Sequence, residues 1–222
     1  PQIYIRGRRL PIAQLTLKME YFLVENGVYY LVDSLALLNF LHYFKKQGYR
    51  YLQFIPCLND INDTSNKPYT LTPEDYGKFL VELFDLWYKD FMNGYTVSIR
   101  TFDNYIQMLL GLPPESCDMN GFCSVNPVIE SDGSVYPCDF YVLDEWKLGH
   151  LNTSSFHELL NNDIAHKFLA SGQIVAEKCK QCQYYGLCRS GCRRHKEMDQ
   201  DNLMTNYFCE SYIYFFDHTL DR

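Results

Sequence analysis

CKQCQYYGLCRSGC, residues 179–192, brings four of the nine cysteines within fourteen positions: Cys179, Cys182, Cys188 and Cys192. Four more flank this stretch in the second half of the chain: Cys117, Cys123, Cys138 and Cys209. Four thiolates are the ligand set of one [4Fe–4S] cluster or of one tetrahedral zinc ion. Eight clustered cysteines therefore predict a domain organised around two such metal sites. Cys57 stands apart and is interpreted as a buried structural thiol.

Three interpretations of the eight cysteines stay open at this point. A disulfide framework requires an oxidising compartment, and no secretory signal is visible in the sequence. A structural zinc site with one CxxC half is normally completed by a second CxxC or HxxxH pair, whereas here CxxxC and isolated cysteines follow. The looser spacing favours iron–sulfur clusters over zinc. His195 is expected to be an ordinary surface or core residue, and its neighbours Arg193 and Arg194 to be solvated or paired with acids.

The composition excludes several classes of protein. The 222 residues carry 20 basic and 27 acidic side chains, a formal net charge of −7, which argues against a nucleic-acid-binding protein. Apolar runs are broken by charges well before the ~20 residues that a membrane span requires. With 47% hydrophobic and 16% aromatic residues, the chain is typical of a folded globular protein. Neither a nucleic acid nor a membrane is expected as a partner.

The first 110 residues show alternating helical and strand patterns, which are typical of α/β folds. Thr72 can cap a helix that has Pro73 at its first position, and Asp75 completes a capping box. Residues 1–27 are left without a role, although 15–27 carry a helical pattern that would end at Gly27. The other predicted elements are a helix over 35–46, a strand over 49–55, a helix over 72–93, a strand over 95–100 and a short helix over 101–110. Helix followed by strand is the repeating unit of α/β barrels, so part of a (β/α) barrel is predicted.

A change in composition near residues 111–116 predicts a domain boundary there. Only one cysteine precedes Cys117, whereas eight follow from that position on. The second region opens with a hairpin whose turn is Ser131–Asp132–Gly133. Two short helices, the cysteine-rich loops and a last helix over 203–220 follow. The predicted division is a barrel segment over 1–112 and a small loop-rich metal-binding domain over 113–222.

One cysteine pattern resembles a known family. The pattern is similar to the SPASM domain of radical S-adenosylmethionine enzymes. It consists of Cys123-x9-Gly133-x4-Cys138, then the stretch 179–192, then Cys209. The strings ESDGSVYPCDFYVLD, CRSGCRRH, LFDLWYKDFMNG and YLQFIPCL resemble the anaerobic sulfatase-maturating enzymes within that group. These enzymes convert a Cys or Ser of a sulfatase to Cα-formylglycine. The resemblance covers roughly residues 35–220 and fails over 1–27.

The resemblance implies a role for each matching residue. It implies two auxiliary [4Fe–4S] clusters, and S-adenosyl-L-methionine with a third [4Fe–4S] cluster in a full-length parent. Asp139 matches the general base that takes the thiol or hydroxyl proton of the substrate residue, while the alternative is a turn carboxylate accepting backbone amides. Leu58 matches a position whose backbone lies against S-adenosylmethionine. The implied ligands are Cys117, Cys123, Cys138 and Cys192 for the first cluster, and Cys179, Cys182, Cys188 and Cys209 for the second.

The chain departs from the family in one respect. It contains no CxxxCxxC motif, which holds the catalytic cluster of radical S-adenosylmethionine enzymes, and it begins with Pro1 rather than Met. We therefore expect a C-terminal fragment that is inactive alone. The expected partners of the parent oxidoreductase are a sulfatase polypeptide and a reductant such as flavodoxin or ferredoxin, in the cytoplasm of an anaerobe. The alternatives are another SPASM peptide-modifying enzyme and a non-enzymatic zinc-binding interaction module.

Overall fold

The computed structural model describes residues 2–4, 22–25, 28–31, 41–56, 58, 61, 71–198 and 204–222. Cys57 lies outside the described residues. The chain divides into two compact units, one of Pro1–Leu110 with Phe208–Arg222 and one of Gly111–Tyr207. The predicted division at 112/113 placed residues 208–222 with the second region, whereas the contacts of this terminal segment lie within the first unit.

A five-stranded sheet forms the centre of the first unit, in the order β2-β3-β1-β4-β5. β4 and β5 are parallel and are connected through helix α2 (Pro73–Met92), so they form one β-α-β unit. β1, β2 and β3 pair antiparallel. The helix predicted over 15–27 is therefore wrong at residues 22–25, which pair with β3. The strands are β1 (Gln2–Tyr4), β2 (Phe22–Glu25), β3 (Val28–Leu31), β4 (Tyr51–Ile55) and β5 (Ser98–Ile99).

Helix α2 begins where the sequence predicts a helix. The side chain of Thr72 accepts a hydrogen bond from the backbone N–H of Asp75 at 3.1 Å, and Pro73 follows at the first turn. The predicted helix over 35–46 is helical at its described residues 41–46, and the chain turns at Gly48, whose φ is +81°. The helices are α1 (41–46), α2 (Pro73–Met92), α3 (Arg100–Leu109) and α8 (Cys209–Thr219).

Helix α8 packs closely against α2 within the first unit. A Cβ atom on Gly77 would lie 3.2 Å from the Cα of Ser211, so the absence of a side chain allows the two helices to approach. The hydroxyl of Ser211 donates to the carbonyl of Pro73 at 2.5 Å. At the far end, Asp85 accepts hydrogen bonds from His218 and Arg222. This packing places the terminal helix in the first unit.

The second unit is built on a small antiparallel sheet. Its predicted hairpin is confirmed: the N–H of Gly133 donates to the carbonyl of Glu130 at 2.9 Å, and the φ of Gly133 is +92°. The core contains Val135, Leu148, Leu159 and Ala165. The strands are β6 (Val128–Ile129), β7 (Ser134–Tyr136) and β8 (Gly149–His150), with β9 (Lys196–Met198) and β10 (Met204–Asn206) as a separate pair.

The described residues of the second unit also form the short helices α4 (Phe156–Leu160), α5 (Asp163–Gly172), α6 (Glu177–Lys180) and α7 (Tyr185–Cys188). The last helix was predicted to start at residue 203, but residues 204–206 instead form β10, which pairs with β9. In the part of the chain that the structure describes, no helix is both long and apolar enough to cross a membrane.

Candidate iron–sulfur site

The four cysteines of the first predicted ligand set all lie in loops or turns of the second unit. Cys117 opens a 3-10 turn over Cys117–Met119, and Cys123 follows in a loop. Cys138 comes two residues after β7, and Cys192 precedes a second 3-10 turn over Arg193–His195. Because loops carry them, their thiols can converge without disturbing the ladder of a sheet.

The thiol of Cys192 interacts electrostatically with Cys117, Cys123 and Cys138. Burial raises the pKa of Cys192 to about 12, with further contributions from the negative charges of Asp118, Cys123 and Cys117. Burial also raises the pKa of Cys138 to about 12, and the charge of Cys192 adds to that shift. Burial likewise raises the pKa of Cys123. Burial therefore favours the protonated thiols of Cys138 and Cys192, and a bound metal must displace those protons.

Backbone amides point at three of these four sulfur atoms. The N–H of Arg194 donates to the Sγ of Cys192 at 3.3 Å. The N–H of Arg193 donates to Cys123, and the N–H of Phe140 donates to Cys138, and each lowers the pKa of its thiol against the effect of burial. Amide hydrogen bonds to sulfur stabilise the thiolate form and are one of the ways in which proteins set the potential of iron–sulfur clusters.

The cysteines of the stretch 179–192 are placed by short helices and an unusual turn. Cys179 lies on α6 and Cys188 ends α7, and the N–H of Cys182 donates to the carbonyl of Cys179 at 3.1 Å. Arg189, Ser190 and Gly191 separate Cys188 from Cys192, and all three have positive φ, at 48°, 67° and 64°. Positive φ is costly at Arg189 and Ser190, which carry a Cβ atom, but not at Gly191, and such strain is concentrated at functional sites.

Cys209, the remaining predicted ligand, is the first residue of α8 in the first unit. Its assignment to the second cluster stays a prediction. Leu58 lies three residues beyond the carboxyl end of β4, where the ligand-binding loops of barrel folds occur. Its predicted contact with S-adenosylmethionine also stays a prediction.

Asp139 lies next to Cys138, is exposed to solvent and opens a 3-10 turn. Its Oδ1 accepts the backbone N–H of Phe140 at 3.1 Å and lies 3.2 Å from the Sγ of Cys138, whose thiol donates to it. These contacts are the ones expected for the alternative role of Asp139, a turn carboxylate that accepts backbone amides. The hydrogen bond from the Cys138 thiol to Asp139 requires a protonated sulfur, so a thiolate that binds a metal cannot form it.

Sequence reasoning did not predict the surroundings of Arg193. The guanidinium carbon lies 4.3 Å from the ring centre of Tyr141, 4.5 Å from Trp146 and 5.0 Å from Phe168. Arg193 was expected to be solvated or paired with an acid, and this expectation is wrong. No signal in the sequence links the three rings, because they come from separate turns and a helix.

His195 was expected to be an ordinary surface or core residue, and it is a buried one. Burial lowers the pKa of its imidazole to about 4.

Comparison with known proteins agrees with this geometry. A model of the SPASM iron–sulfur cluster-binding domain matches residues 117–183. The cysteine-type anaerobic sulfatase-maturating enzyme of Clostridium novyi is 54% identical over 182 residues, covering 81% of this chain and 49% of that enzyme. The serine-type enzyme of Bacteroides thetaiotaomicron is 27% identical over 199 residues, covering 82% of this chain and 48% of that enzyme.

A solved structure of native anSMEcpe with bound AdoMet and the Cp18Cys peptide superimposes with a TM-score of 0.79 at 43% identity. The superimposed region covers 85% of this chain and 53% of the anSMEcpe chain. The chain is similar to the C-terminal part of the anaerobic sulfatase-maturating enzymes. It spans about half the length of the curated relatives that it matches.

The residues of this chain fit an iron–sulfur cluster in their chemistry. The eight cysteines that the structure describes are free thiols, so none of them is used in a disulfide. Arg193 carries a buried Nη1 without a hydrogen-bond acceptor among the described residues, and an inorganic sulfide or thiolate would supply one. No three His, Cys, Asp or Glu side chains of the described ranges are already gathered to hold a single metal ion.

Gly172 provides a test of the space beside Cys123. A Cβ atom at Gly172, the last residue of α5, would lie 2.5 Å from both the Cβ and the Sγ of Cys123. Cysteine is too short to move aside, and overpacking usually costs about 1–3 kcal/mol. We expect Gly172→Ala to lower both the melting temperature and the iron bound per chain.

Gly186→Ala is the matched control for this substitution. Gly186 lies between Cys182 and Cys188 on α7, and an added Cβ there meets no atom within 4 Å. This variant is expected to load iron as the original chain does. Equal iron content and stability in Gly172→Ala and Gly186→Ala would contradict the close packing of Gly172 on Cys123.

Proposed function

We propose that this chain is the cluster-carrying C-terminal part of a radical S-adenosylmethionine enzyme that oxidises a cysteine of a sulfatase to Cα-formylglycine. The observation that supports it most directly is the set of four electrostatically coupled thiols, Cys117, Cys123, Cys138 and Cys192, in a region that matches the SPASM domain. Cysteine is the proposed target because the cysteine-type relative is 54% identical and the serine-type relative 27%.

The proposed ligands are those implied by the family pattern. Cys117, Cys123, Cys138 and Cys192 would hold one [4Fe–4S] cluster, and Cys179, Cys182, Cys188 and Cys209 a second. When bound, such clusters supply one-electron redox chemistry beside the substrate. The β4-α2-β5 unit of the first half is proposed to be part of a (β/α) barrel, in which Leu58 would contact S-adenosylmethionine.

Asp139 is proposed to accept the thiol proton of the substrate cysteine once a 5′-deoxyadenosyl radical has removed a Cβ hydrogen. Asp139 is exposed and directly follows Cys138, so it lies beside a proposed cluster ligand, which supports this role. When Cys138 binds iron as a thiolate, it has no proton to donate, and the two negative charges repel each other. The carboxylate is then released from its sulfur partner and is available as a base.

The partner and the compartment follow from this chemistry. A one-electron reductant such as flavodoxin or ferredoxin would supply electrons in the cytoplasm of an anaerobe. The sulfatase polypeptide would be the macromolecular substrate. A SPASM enzyme that forms another peptide modification is the second candidate, because the same cysteine pattern occurs in that wider group.

A chimeric enzyme tests the proposed activity. The aligned part of this chain replaces the matching C-terminal part of the Clostridium novyi enzyme, and formylglycine is measured by mass spectrometry on sulfatase peptides with Cys or Ser at the target position. We expect formylglycine from the cysteine peptide. A chimera that binds its clusters and cleaves S-adenosylmethionine, but leaves both peptides unmodified, would contradict the proposal and favour another substrate.

The 222 residues alone are expected to be inactive. They contain no CxxxCxxC motif to hold the cluster that cleaves S-adenosylmethionine. We expect no 5′-deoxyadenosine above background when the reconstituted chain is incubated with dithionite and S-adenosylmethionine, with the Clostridium novyi enzyme as the positive control. Release of 5′-deoxyadenosine by this chain would show that another part of it activates the cofactor.

A further inference from the structure

Arg193 is held in a cage of three aromatic rings within the second unit. Tyr141, Trp146 and Phe168 contact one another edge to face, with ring centres 5.3 to 6.1 Å apart. All three are buried, and burial raises the pKa of the Tyr141 hydroxyl to about 12. The guanidinium lies within 5.0 Å of each ring centre. Cation–π contact in such a dry site stabilises the charge and fixes its position.

The cage leaves part of the guanidinium unsatisfied. Nη1 is buried and has no hydrogen-bond partner among the described residues, and no carboxylate in that part of the chain forms an ion pair with Arg193. Leaving a buried donor unpaired costs about 1–3 kcal/mol, and more when the group is charged. Aromatic rings cannot accept all five N–H groups of arginine. The arrangement therefore lacks an anionic acceptor on one side.

The thiol of Cys123, a member of the first ligand set, is a candidate for that acceptor. The backbone N–H of Arg193 already donates to Cys123, and the positive charge of its side chain lowers the pKa of that thiol. Arg193 also directly follows Cys192 in the sequence. Both neighbouring cysteines are proposed ligands of the same cluster, so the guanidinium is fixed at the edge of this one site.

We propose that Arg193 is a positioning residue for the first cluster, donating a hydrogen bond from its guanidinium to a cluster sulfur and raising the reduction potential of that cluster. The inference rests on the proposed binding of a [4Fe–4S] cluster by Cys117, Cys123, Cys138 and Cys192. Reduction adds a negative charge to the cluster, and a nearby fixed cation stabilises the reduced form more than the oxidised form. The same hydrogen bond satisfies the buried Nη1.

A redox titration of the reconstituted chain tests the proposal. Arg193→Met keeps an apolar side chain in the ring cage but removes charge and donors, whereas Arg193→Lys keeps the charge. Lys167→Met is the matched control, because Lys167 is exposed and its Nζ lies 5.2 Å from the same Trp146 ring. We expect Arg193→Met to make one cluster harder to reduce by about tenfold, or about 59 mV. Arg193→Lys should shift less and Lys167→Met not at all.

Several outcomes are distinguishable in this titration. If the original chain binds no iron, the proposed clusters are wrong and the role of Arg193 falls with them. If the original chain and Arg193→Met both bind iron and titrate at the same potentials, the clusters stand and Arg193 only packs against the rings. A shift of both clusters by equal amounts would likewise contradict the assignment to the first site.

A second measurement does not depend on a variant that loads iron. Chain labelled with ¹⁵N only in the guanidino groups of arginine is reduced and studied by pulsed electron paramagnetic resonance. We expect a ¹⁵N coupling on the reduced cluster, reflecting the hydrogen bond from Arg193. If Arg193→Lys loads iron, this coupling should be lost from it. Absence of any ¹⁵N coupling in the original labelled chain would overturn the proposal.

Discussion

Anaerobic reconstitution of this chain with iron and sulfide should give about eight iron atoms and about eight sulfides per polypeptide. The physical reason is the number of free thiols: eight described cysteines form no disulfide, and four of them are electrostatically coupled in one region. Replacing Cys117, Cys123, Cys138 and Cys192 together by Ala should remove about half of the iron. Iron and acid-labile sulfide are measured by colorimetry and the cluster type by Mössbauer spectroscopy.

Cys57→Ala is the control for cysteine loss in general. Cys57 is predicted to be a structural thiol, so this variant should retain its full iron content. Protein purified without exposure to air that holds two zinc ions and no iron would contradict the cluster proposal and favour the zinc module. Loss of all iron, rather than half, from the fourfold variant would show that the two sites do not fill independently.

Local signals in the sequence predicted the parts of the fold that depend on neighbouring residues. Thr72 and Pro73 predicted the start of α2 because a helix cap is completed within four residues. Asp132 and Gly133 predicted the hairpin because the turn requires a positive φ at the glycine. The cysteine spacing predicted the metal-binding region for the same reason, since ligand pairs such as Cys179 and Cys182 are close in sequence.

Contacts between distant residues could not be predicted in this way. Residues 22–25 carry an apolar pattern that suits a helix, but they form a strand because β3 is available to pair with them. The cage around Arg193 combines rings from positions 141, 146 and 168, which no periodicity connects. The fit of Gly172 against Cys123 likewise joins the end of a helix to a loop about fifty residues earlier. These contacts depend on tertiary packing alone.

Asp139→Asn in the chimeric enzyme should lower formylglycine production by about 10²–10⁴-fold, which is the usual loss when a positioned general base is removed. Asparagine keeps the size of the side chain and an oxygen that can accept the N–H of Phe140, which Asp139 now binds at 3.1 Å. It cannot take a proton from the substrate thiol. Iron content and 5′-deoxyadenosine formation should therefore stay near those of the unmodified chimera, since neither requires this base.

Asp144→Asn is the matched control, because Asp144 is an exposed carboxylate that also opens a 3-10 turn in the same loop region. A normal rate of formylglycine formation in Asp139→Asn would show that Asp139 only stabilises its turn. Loss of iron would show instead that it supports the loop that carries Cys138.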